Sequence, residues 1–236
     1  MAGIPNETYF EAFIERYLTS QPILTLDGRT IDRMEYHSVA PSLYDKKLCI
    51  IPTELISFLK DTQPREFEKL VNNAGGEELA IRSIYSRLDS ELKRGTLAVL
   101  NSQSGFEAGY GVKFRLVYHK PASTKNVEHC ENYTKNRLAV VRQLKYSERN
   151  NNEIDMVLFV NGLPVVTMEL KNLLTGQRHT NAIRQWMQDR PTKDEKFLEF
   201  KRCLVHFAVG TEQVYMTTRL NGEKTRDLTP KDWTDY

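Results

Sequence analysis

The chain has 236 residues, of which 40% are hydrophobic and 27% are charged, and its net charge is only +2, a balance typical of a soluble globular protein with a sizeable core. No apolar run of about 18 residues is present and the polar N-terminus lacks a signal-peptide core, so neither a membrane span nor a secretory leader is expected. The three cysteines, at positions 49, 130 and 203, form neither a disulfide framework nor a zinc pattern, which favours a cytoplasmic location.

The N-terminal residues predict an amphipathic helix. Thr8 and Glu11 have the spacing of a capping box, in which the two side chains satisfy the first backbone N–H groups of a helix. The helix is expected to reach about Leu18, with an apolar stripe of Phe10, Phe13, Ile14, Tyr17 and Leu18. A short strand-like piece follows at 23–26.

The sequence up to residue 94 is otherwise mostly helical in pattern. A second strand-like piece lies at 47–51, and Thr53 has the character of an N-cap for the next helix. Pro64 suits the first turn of another helix. An amphipathic helix is predicted at 77–94, and Gly95 stands where a helix usually ends.

After Gly95 the pattern changes to strands. Short apolar or alternating runs predict strands at 96–100, 112–118, 137–146, 203–209 and 214–219, with a hairpin at 154–171 and a helix at 176–190. This order predicts an α/β fold, a mixed β-sheet flanked by helices, in one domain. Residues 1–94 are expected to form a mainly helical cap, 95–220 the α/β core, and 221–236 the start of a linker.

Positive charge is concentrated just before the predicted hairpin. Between residues 113 and 149 there are nine lysines or arginines and three glutamates. An excess of this size indicates either a polyanion bound nearby or a solvated basic surface, and charge alone does not separate the two.

The hairpin carries three charged residues on otherwise apolar strands. Asn161-Gly162 is the strongest short signal for a hairpin turn. If the loop has three residues, ending at Leu163, Asp155 lies opposite Glu169; a loop of two or four residues would leave Asp155 diagonal to it. Lys171 points to the same side as Glu169 because side chains alternate along a strand.

Asp155, Glu169 and Lys171 are suited to metal-dependent chemistry. Two carboxylates on neighbouring strands repel each other unless a proton or a cation lies between them. Mg²⁺ prefers such hard oxygen ligands and keeps several waters, and an adjacent ammonium could orient water or neutralise charge on a phosphate. The alternative is a surface cross-strand pair in which Lys171 simply offsets Glu169.

The residues around this triad favour the first interpretation. The run 154–172 resembles the nuclease domain at the N-terminus of the restriction (R) subunit of type I restriction-modification enzymes, within the PD-(D/E)xK superfamily (RecB-like branch). The stretches 132–143 and 205–218 are similar to the same family. The resemblance implies a restriction-endonuclease-like core, and it is strongest from about residue 95 to residue 226.

By this resemblance, Asp155 and Glu169 match the metal-binding acids, and Lys171 matches the catalytic lysine. The backbone carbonyl of Leu170 matches a further metal ligand, and Gln185 matches the glutamine of a motif on the following helix. This chain departs from the family pattern at two positions, with Asp189 in place of the motif tyrosine and Ile154 in place of the proline. An accessory acid often completes such sites, and the candidates here are Glu11 and Glu77.

The resemblance implies a Mg²⁺-dependent endonuclease domain, in which Mn²⁺ can substitute and which hydrolyses double-stranded DNA. The implied partners are the methylation and specificity subunits and a C-terminal helicase-like translocase, which alone would use ATP. Two alternatives stay open: a non-catalytic DNA-binding or subunit-docking module, and a free-standing nuclease.

Overall fold

The computed structural model describes residues 7–20, 23–24, 30–31, 35–171, 179–190, 192, 194–220 and 234–235. The helices in this part of the chain are α1 (Glu7–Thr19), α2 (Pro52–Thr62), α3 (Pro64–Ala74), α4 (Glu77–Glu91), α5 (Thr96–Leu100), α6 (Val127–Thr134) and α7 (His179–Gln188). The strands are β1 (Ile23–Leu24), β2 (Thr30–Ile31), β3 (Tyr36–Ser38), β4 (Phe106–Gly109), β5 (Val112–Phe114), β6 (Leu138–Lys145), β7 (Glu153–Val160), β8 (Leu163–Leu170), β9 (Val205–Val209), β10 (Val214–Thr217) and β11 (Thr234–Asp235).

Seven of the described strands form one mixed sheet in the order β11-β10-β9-β8-β7-β6-β3. The central strands β6, β7 and β8 are antiparallel, whereas β3 is parallel to β6 and β9 is parallel to β8. Parallel neighbours need a crossover connection, and α7 lies in the connection between β8 and β9. The prediction of an α/β fold with a mixed sheet flanked by helices is confirmed.

Helices cover both faces of the central sheet, which explains why β7 and β8 are apolar almost throughout. On one face, Ala182, Ile183 and Trp186 of α7 join a core with residues of β6, β7 and β9. On the other face, Phe10 and Ile14 of α1 pack against a smaller cluster. This cluster comprises Val140, Met156, Leu158, Val165 and Leu170.

A second helical layer packs beside the turn of the β7–β8 hairpin. Helices α2 to α5 and the β4–β5 hairpin share a core that also contains Leu163. The Ile51 N–H at the start of α2 donates to the Gly162 carbonyl at 2.9 Å. Arg137, the residue before β6, also reaches this layer, with 2.8 Å between its Nε and an oxygen of Glu54. These contacts fix the turn end of the hairpin.

Glu54 links this layer to the central sheet through charged hydrogen bonds. His37 Nε2 and Arg137 Nε each lie within 2.9 Å of its carboxylate. Burial alone would raise the pKa of Glu54, but the hydrogen bonds with His37 and Arg137 lower it to about 2. The carboxylate therefore ties β3, α2 and the residue before β6 together in its charged form.

Two predicted helix caps are wrong. Helix α1 begins at Glu7, so Thr8 lies inside its first turn and Glu11 does not act in a capping box. Helix α2 begins at Pro52 after Ile51, so Thr53 is not its N-cap. Proline suits the first position of α2 because its φ fits a helix and it lacks an N–H that would otherwise be unpaired there.

Tertiary context also changes several predicted strands. Residues 96–100 form the short helix α5 rather than a strand, and 47–51 form a turn with one isolated bridge between Asp45 and Ile50. Strand β5 ends at Phe114, before the predicted limit of 118. Strands β3 and β4 and helix α6 were not predicted, because each is short and its local pattern is weak.

Other sequence-based expectations concern single residues. His206 is buried and shares a hydrogen bond of 2.7 Å with Thr167, and burial lowers its pKa to about 3, as expected of a core histidine. Cys49, Cys130 and Cys203 are free thiols.

None of the described helices is long and apolar enough to cross a membrane. Residues 221–233 and 236 of the expected linker, and residues 176–178 of the predicted helix at 176–190, lie outside the described residues.

Candidate metal centre

The register of the β7–β8 hairpin places Asp155 across from Glu169. The turn has two residues, Asn161 and Gly162, both with positive φ (50° and 81°), so the predicted three-residue loop is wrong. A β-bulge at Val165 adds the missing residue, and Met156 pairs with Met168. Continuing this register by one residue sets Asp155 opposite Glu169, as the longer loop would have done.

Asp155 joins the two strands where they separate. Its Oδ2 accepts a hydrogen bond from the Leu170 N–H at 2.7 Å. The N–H and C=O of one residue in an extended strand point to the same side, so the Leu170 carbonyl also faces the side on which Asp155 lies. Asp155 and the Leu170 carbonyl therefore lie on the same side of β8, at the end of the hairpin away from the turn.

Glu169 is a fully buried carboxylate with one satisfied oxygen. Its Oε1 accepts from Arg190 Nε at 2.9 Å, whereas its Oε2 is buried and has no hydrogen-bond partner. Burial raises the pKa of Glu169 well above its ordinary value, and the charge of Asp155 raises it further. A buried, unpartnered carboxylate oxygen beside a second carboxylate is the arrangement that a bound cation would stabilise.

Lys171 lies at the same end of β8, next to α1. Its side chain is 9% exposed and its Nζ lies 3.4 Å from Glu7 Oε1. Its backbone N–H donates to the Val209 carbonyl at 2.8 Å, which holds it against β9. The ammonium is thus held at the end of β8 by a loose ion pair with α1, close enough to Glu169 to act against the rise in its pKa.

The structure separates the two candidates for an accessory acid. Glu11 is buried on α1 and accepts from Arg142 Nε and Nη2 at 3.1 Å each. Burial raises the pKa of Glu11, and the nearby charge of Asp155 also raises it. Glu77 is exposed at the start of α4 and pairs with Lys60 of α2 at 2.7 Å. Only Glu11 is thus brought into electrostatic contact with Asp155.

Gln185 lies on α7, the helix that packs against β8 and β9. Its side chain is half-buried, and its backbone carbonyl accepts from the Asp189 N–H at 2.9 Å. Asp189, in the position of the expected tyrosine, is exposed. Its carboxylate can only accept hydrogen bonds when ionised, so it does not reproduce the donor that a tyrosine hydroxyl would supply.

Two residues in this region were missed by sequence reasoning. Arg190, two residues after the end of α7, is the buried partner of Glu169. Gln143 lies on β6 between residues paired with Met156 and Ile154, has a positive φ of 51°, and lies close enough to Glu11 to act against the rise in the pKa of that carboxyl. The only sequence signal for Arg190 is indirect, because a buried carboxylate requires a counter-ion.

The basic stretch at 113–149 is not one uniform surface. Four of its nine basic residues pair with acids: Arg137 with Glu54, Arg142 with Glu11 and Glu15, Lys145 with Glu153, and Arg149 with Asp194. The other five, at positions 113, 115, 120, 125 and 135, are exposed. The positive surface that described acids do not neutralise is therefore smaller than the nine basic residues of the sequence suggest.

The candidate ligands of a metal are few. Among the described residues, no three His, Cys, Asp or Glu side chains surround one potential metal position. The candidate set is therefore Asp155, the free Oε2 of Glu169 and the Leu170 carbonyl. Mg²⁺ commonly uses one or two carboxylates and completes its shell with water or substrate, so this set fits it.

Two comparisons with known proteins relate this chain to one family. A family model described as the type I restriction enzyme R protein N terminus matches residues 52–225, beginning at the first residue of α2. A similar relative is the putative type I restriction enzyme MjaVIIIP endonuclease subunit of Methanocaldococcus jannaschii, 25% identical over 234 residues. The alignment covers 96% of this chain but only 20% of that relative. The chain belongs to the family of type I restriction enzyme R protein N-terminal domains.

Proposed function

We propose that this chain is a divalent-metal-dependent endonuclease domain that hydrolyses phosphodiester bonds of double-stranded DNA. The observation that carries the proposal is the buried Oε2 of Glu169, which has no partner although Asp155 lies opposite it. Leaving a buried carboxylate oxygen unpaired is costly, and a bound ion or a catalytic role is among the explanations for such an atom in a native protein.

Asp155, Glu169 and the carbonyl of Leu170 would hold the metal. When bound, Mg²⁺ would lower the pKa of an attacking water and neutralise charge on the phosphate, and Mn²⁺ would serve the same purpose. The two strands hold the acids in fixed relative positions, because Asp155 is already bonded to the β8 backbone through the Leu170 N–H. Little reorganisation would then be needed on binding.

Lys171 would act directly on the substrate. Its Nζ is held only loosely, 3.4 Å from Glu7, and can turn towards a phosphate oxygen or a water without breaking a strong bond. A positive charge at that point stabilises negative charge that develops in the transition state. Gln185 would hydrogen-bond a water or a phosphate, and Glu11 would contribute as the accessory acid.

The complete protein would act within a larger assembly. The relative's name describes an endonuclease subunit, and this chain corresponds to a fifth of that protein's length. We infer that the domain works beside a helicase-like translocase that uses ATP, together with methylation and specificity subunits. The five exposed basic residues at positions 113, 115, 120, 125 and 135 would contact the DNA backbone.

One observation favours a second candidate function, a non-catalytic docking or DNA-holding module. Glu169 already has Arg190 as a counter-ion and Asp155 already has a backbone donor. A carboxylate pair that served only the fold would also be satisfied in this way. The two functions differ in whether the acids bind a divalent cation.

Calorimetric titration of the chain with Mn²⁺ separates them. We expect the wild-type chain to bind Mn²⁺, and Asp155→Asn or Glu169→Gln to weaken binding at least tenfold, because each removes a charged ligand. Glu11→Gln should have a smaller effect.

Glu77→Gln is the matched control, because Glu77 is an exposed acid paired with Lys60. Binding should also strengthen as the pH rises, since the raised pKa of Glu169 means that the metal must displace a proton. Equal Mn²⁺ affinity in wild type, Asp155→Asn and Glu169→Gln would support the docking module instead.

A further inference from the structure

Arg190 connects both strands that carry the proposed metal ligands. It is 7% exposed and lies two residues after the end of α7. Its Nε donates to Glu169 Oε1 at 2.9 Å, and its Nη2 donates to the backbone carbonyl of Glu153. One guanidinium group is therefore bonded at the same time to β8 and to the first residue of β7.

The position of these two bonds relates Arg190 to both acids. Glu153 is two residues before Asp155 on β7, and Glu169 lies across from Asp155 on β8. The planar guanidinium fixes the directions of its donors, so it can hold two acceptors in a set geometry. A lysine ammonium is a single compact charge on a flexible stem and does not impose this geometry.

The bond to Glu169 determines which of its oxygens is available. Because Arg190 occupies Oε1, the carboxylate cannot rotate freely, and Oε2 is left buried with no hydrogen-bond partner. Groups that hydrogen-bond a metal ligand orient it, and their loss typically costs about 10- to 100-fold in metal affinity.

We propose that Arg190 is a positioning residue for the metal centre. It fixes the Glu169 carboxylate so that Oε2 is presented to the metal, and it sets the separation of Glu169 from Asp155 through the Glu153 carbonyl. This inference rests on the proposed function. It assigns no direct contact between Arg190 and substrate or metal.

Arg190 has one alternative role, in which it weakens metal binding instead of supporting it. Arg190 could instead be a substitute cation that neutralises Glu169 and competes with the metal. Removing it would then strengthen metal binding, because one positive charge near the site is lost. The two roles predict changes of opposite sign in the same measurement.

The test is Mn²⁺ titration of the 236-residue chain carrying Arg190→Lys or Arg190→Gln, with the melting temperature of each variant measured without metal. We expect Arg190→Lys to bind Mn²⁺ about tenfold more weakly than wild type, because charge is kept and the two-acceptor geometry is lost. Arg190→Gln should bind at least as weakly as Arg190→Lys.

Arg137→Lys is the matched control. Arg137, just before β6, also binds a buried carboxylate through two of its nitrogens, that of Glu54 on α2. This variant should lower the melting temperature and leave Mn²⁺ affinity within twofold of wild type. A loss of affinity as large as that of Arg190→Lys would show that general destabilisation explains both and would overturn the inference.

Two further results would overturn the positioning role while leaving the metal site intact. One is wild-type affinity in Arg190→Lys, which would show that only charge matters. The other is tighter binding in Arg190→Gln, which would identify a substitute cation. Absence of Mn²⁺ binding to the wild-type chain would instead overturn the proposed function, and this inference with it.

Discussion

Asp155→Asn and Lys171→Gln are each expected to lower double-stranded DNA cleavage about a thousandfold in a complex built on the full-length R subunit. Asp155→Asn removes a charge that would bind the metal and keeps the side-chain shape, so the Leu170 N–H retains an oxygen acceptor. Lys171→Gln removes the ammonium that would stabilise charge on the phosphate. The measurement is the rate at which linear product appears from a circular plasmid.

Lys145→Gln provides the control for loss of a positive charge near the sheet. Lys145 lies on β6 and forms an exposed ion pair with Glu153 at 3.3 Å, a pair of little energetic weight. The cleavage rate of the Lys145→Gln complex should stay within about threefold of wild type, as expected for loss of a weak surface contact. If Asp155→Asn or Lys171→Gln still cut DNA at the wild-type rate while the ATPase activity of the complex is intact, the changed residue would not be catalytic.

Gly162→Ala is expected to destabilise the chain by about 3 kcal/mol, from a left-handed backbone and from overpacking. Gly162 has φ of 81°, and an added Cβ would lie 2.5 Å from the Ile51 carbonyl oxygen and 2.9 Å from the Leu55 nitrogen. Both neighbours are backbone atoms of the α2 N-terminus and cannot turn away as a side chain can. Urea denaturation measures the change in the free energy of unfolding.

Gly111→Ala isolates the conformational part of this cost. Gly111 lies in the Tyr110-Gly111 turn between β4 and β5, and both residues have positive φ, as in the Asn161-Gly162 turn. An added Cβ at Gly111 would meet nothing within 4 Å, so this variant should lose only about 1 kcal/mol. Equal losses in the two variants would show that the hairpin turn does not pack closely on α2.

The central hairpin was predictable because its signals are local. Asn161-Gly162 favours the two positive φ angles of a tight turn, and the flanking residues favour strands. The pairing of Asp155 with Glu169 was predicted through a three-residue loop, yet it arises from a two-residue turn and a bulge at Val165. Bulges depend on packing on both faces of a strand, so the sequence pattern alone does not reveal them.

Elements whose structure depends on distant contacts were predicted less well. The run 96–100 has strand-like residues, but Thr96 is held by the Lys201 carbonyl and by the Arg202 carbonyl, and the segment becomes helical. On α1, Phe10, Ile14 and Leu18 pack against the core, whereas Phe13 and Tyr17 of the predicted stripe stay exposed. Periodicity identified the helix but not the width of the face that it buries.

The ionic partners of the site could not be predicted at all. Arg190 lies 21 residues beyond Glu169, and Arg142 lies 131 residues beyond Glu11. No sequence spacing links such residues, because the fold alone brings them together. The sequence predicted the acids and the lysine, and the structure adds the residues that hold them.

The most direct test of the metal site is anomalous diffraction from a crystal of the chain containing Mn²⁺. The account predicts one Mn²⁺ at bonding distance from Glu169 Oε2 and from the Asp155 carboxylate, with the Leu170 carbonyl in its coordination shell and Arg190 still bonded to Glu169 Oε1. A crystal with no Mn²⁺ between these two acids at saturating concentration, or with Mn²⁺ bound only elsewhere, would contradict it.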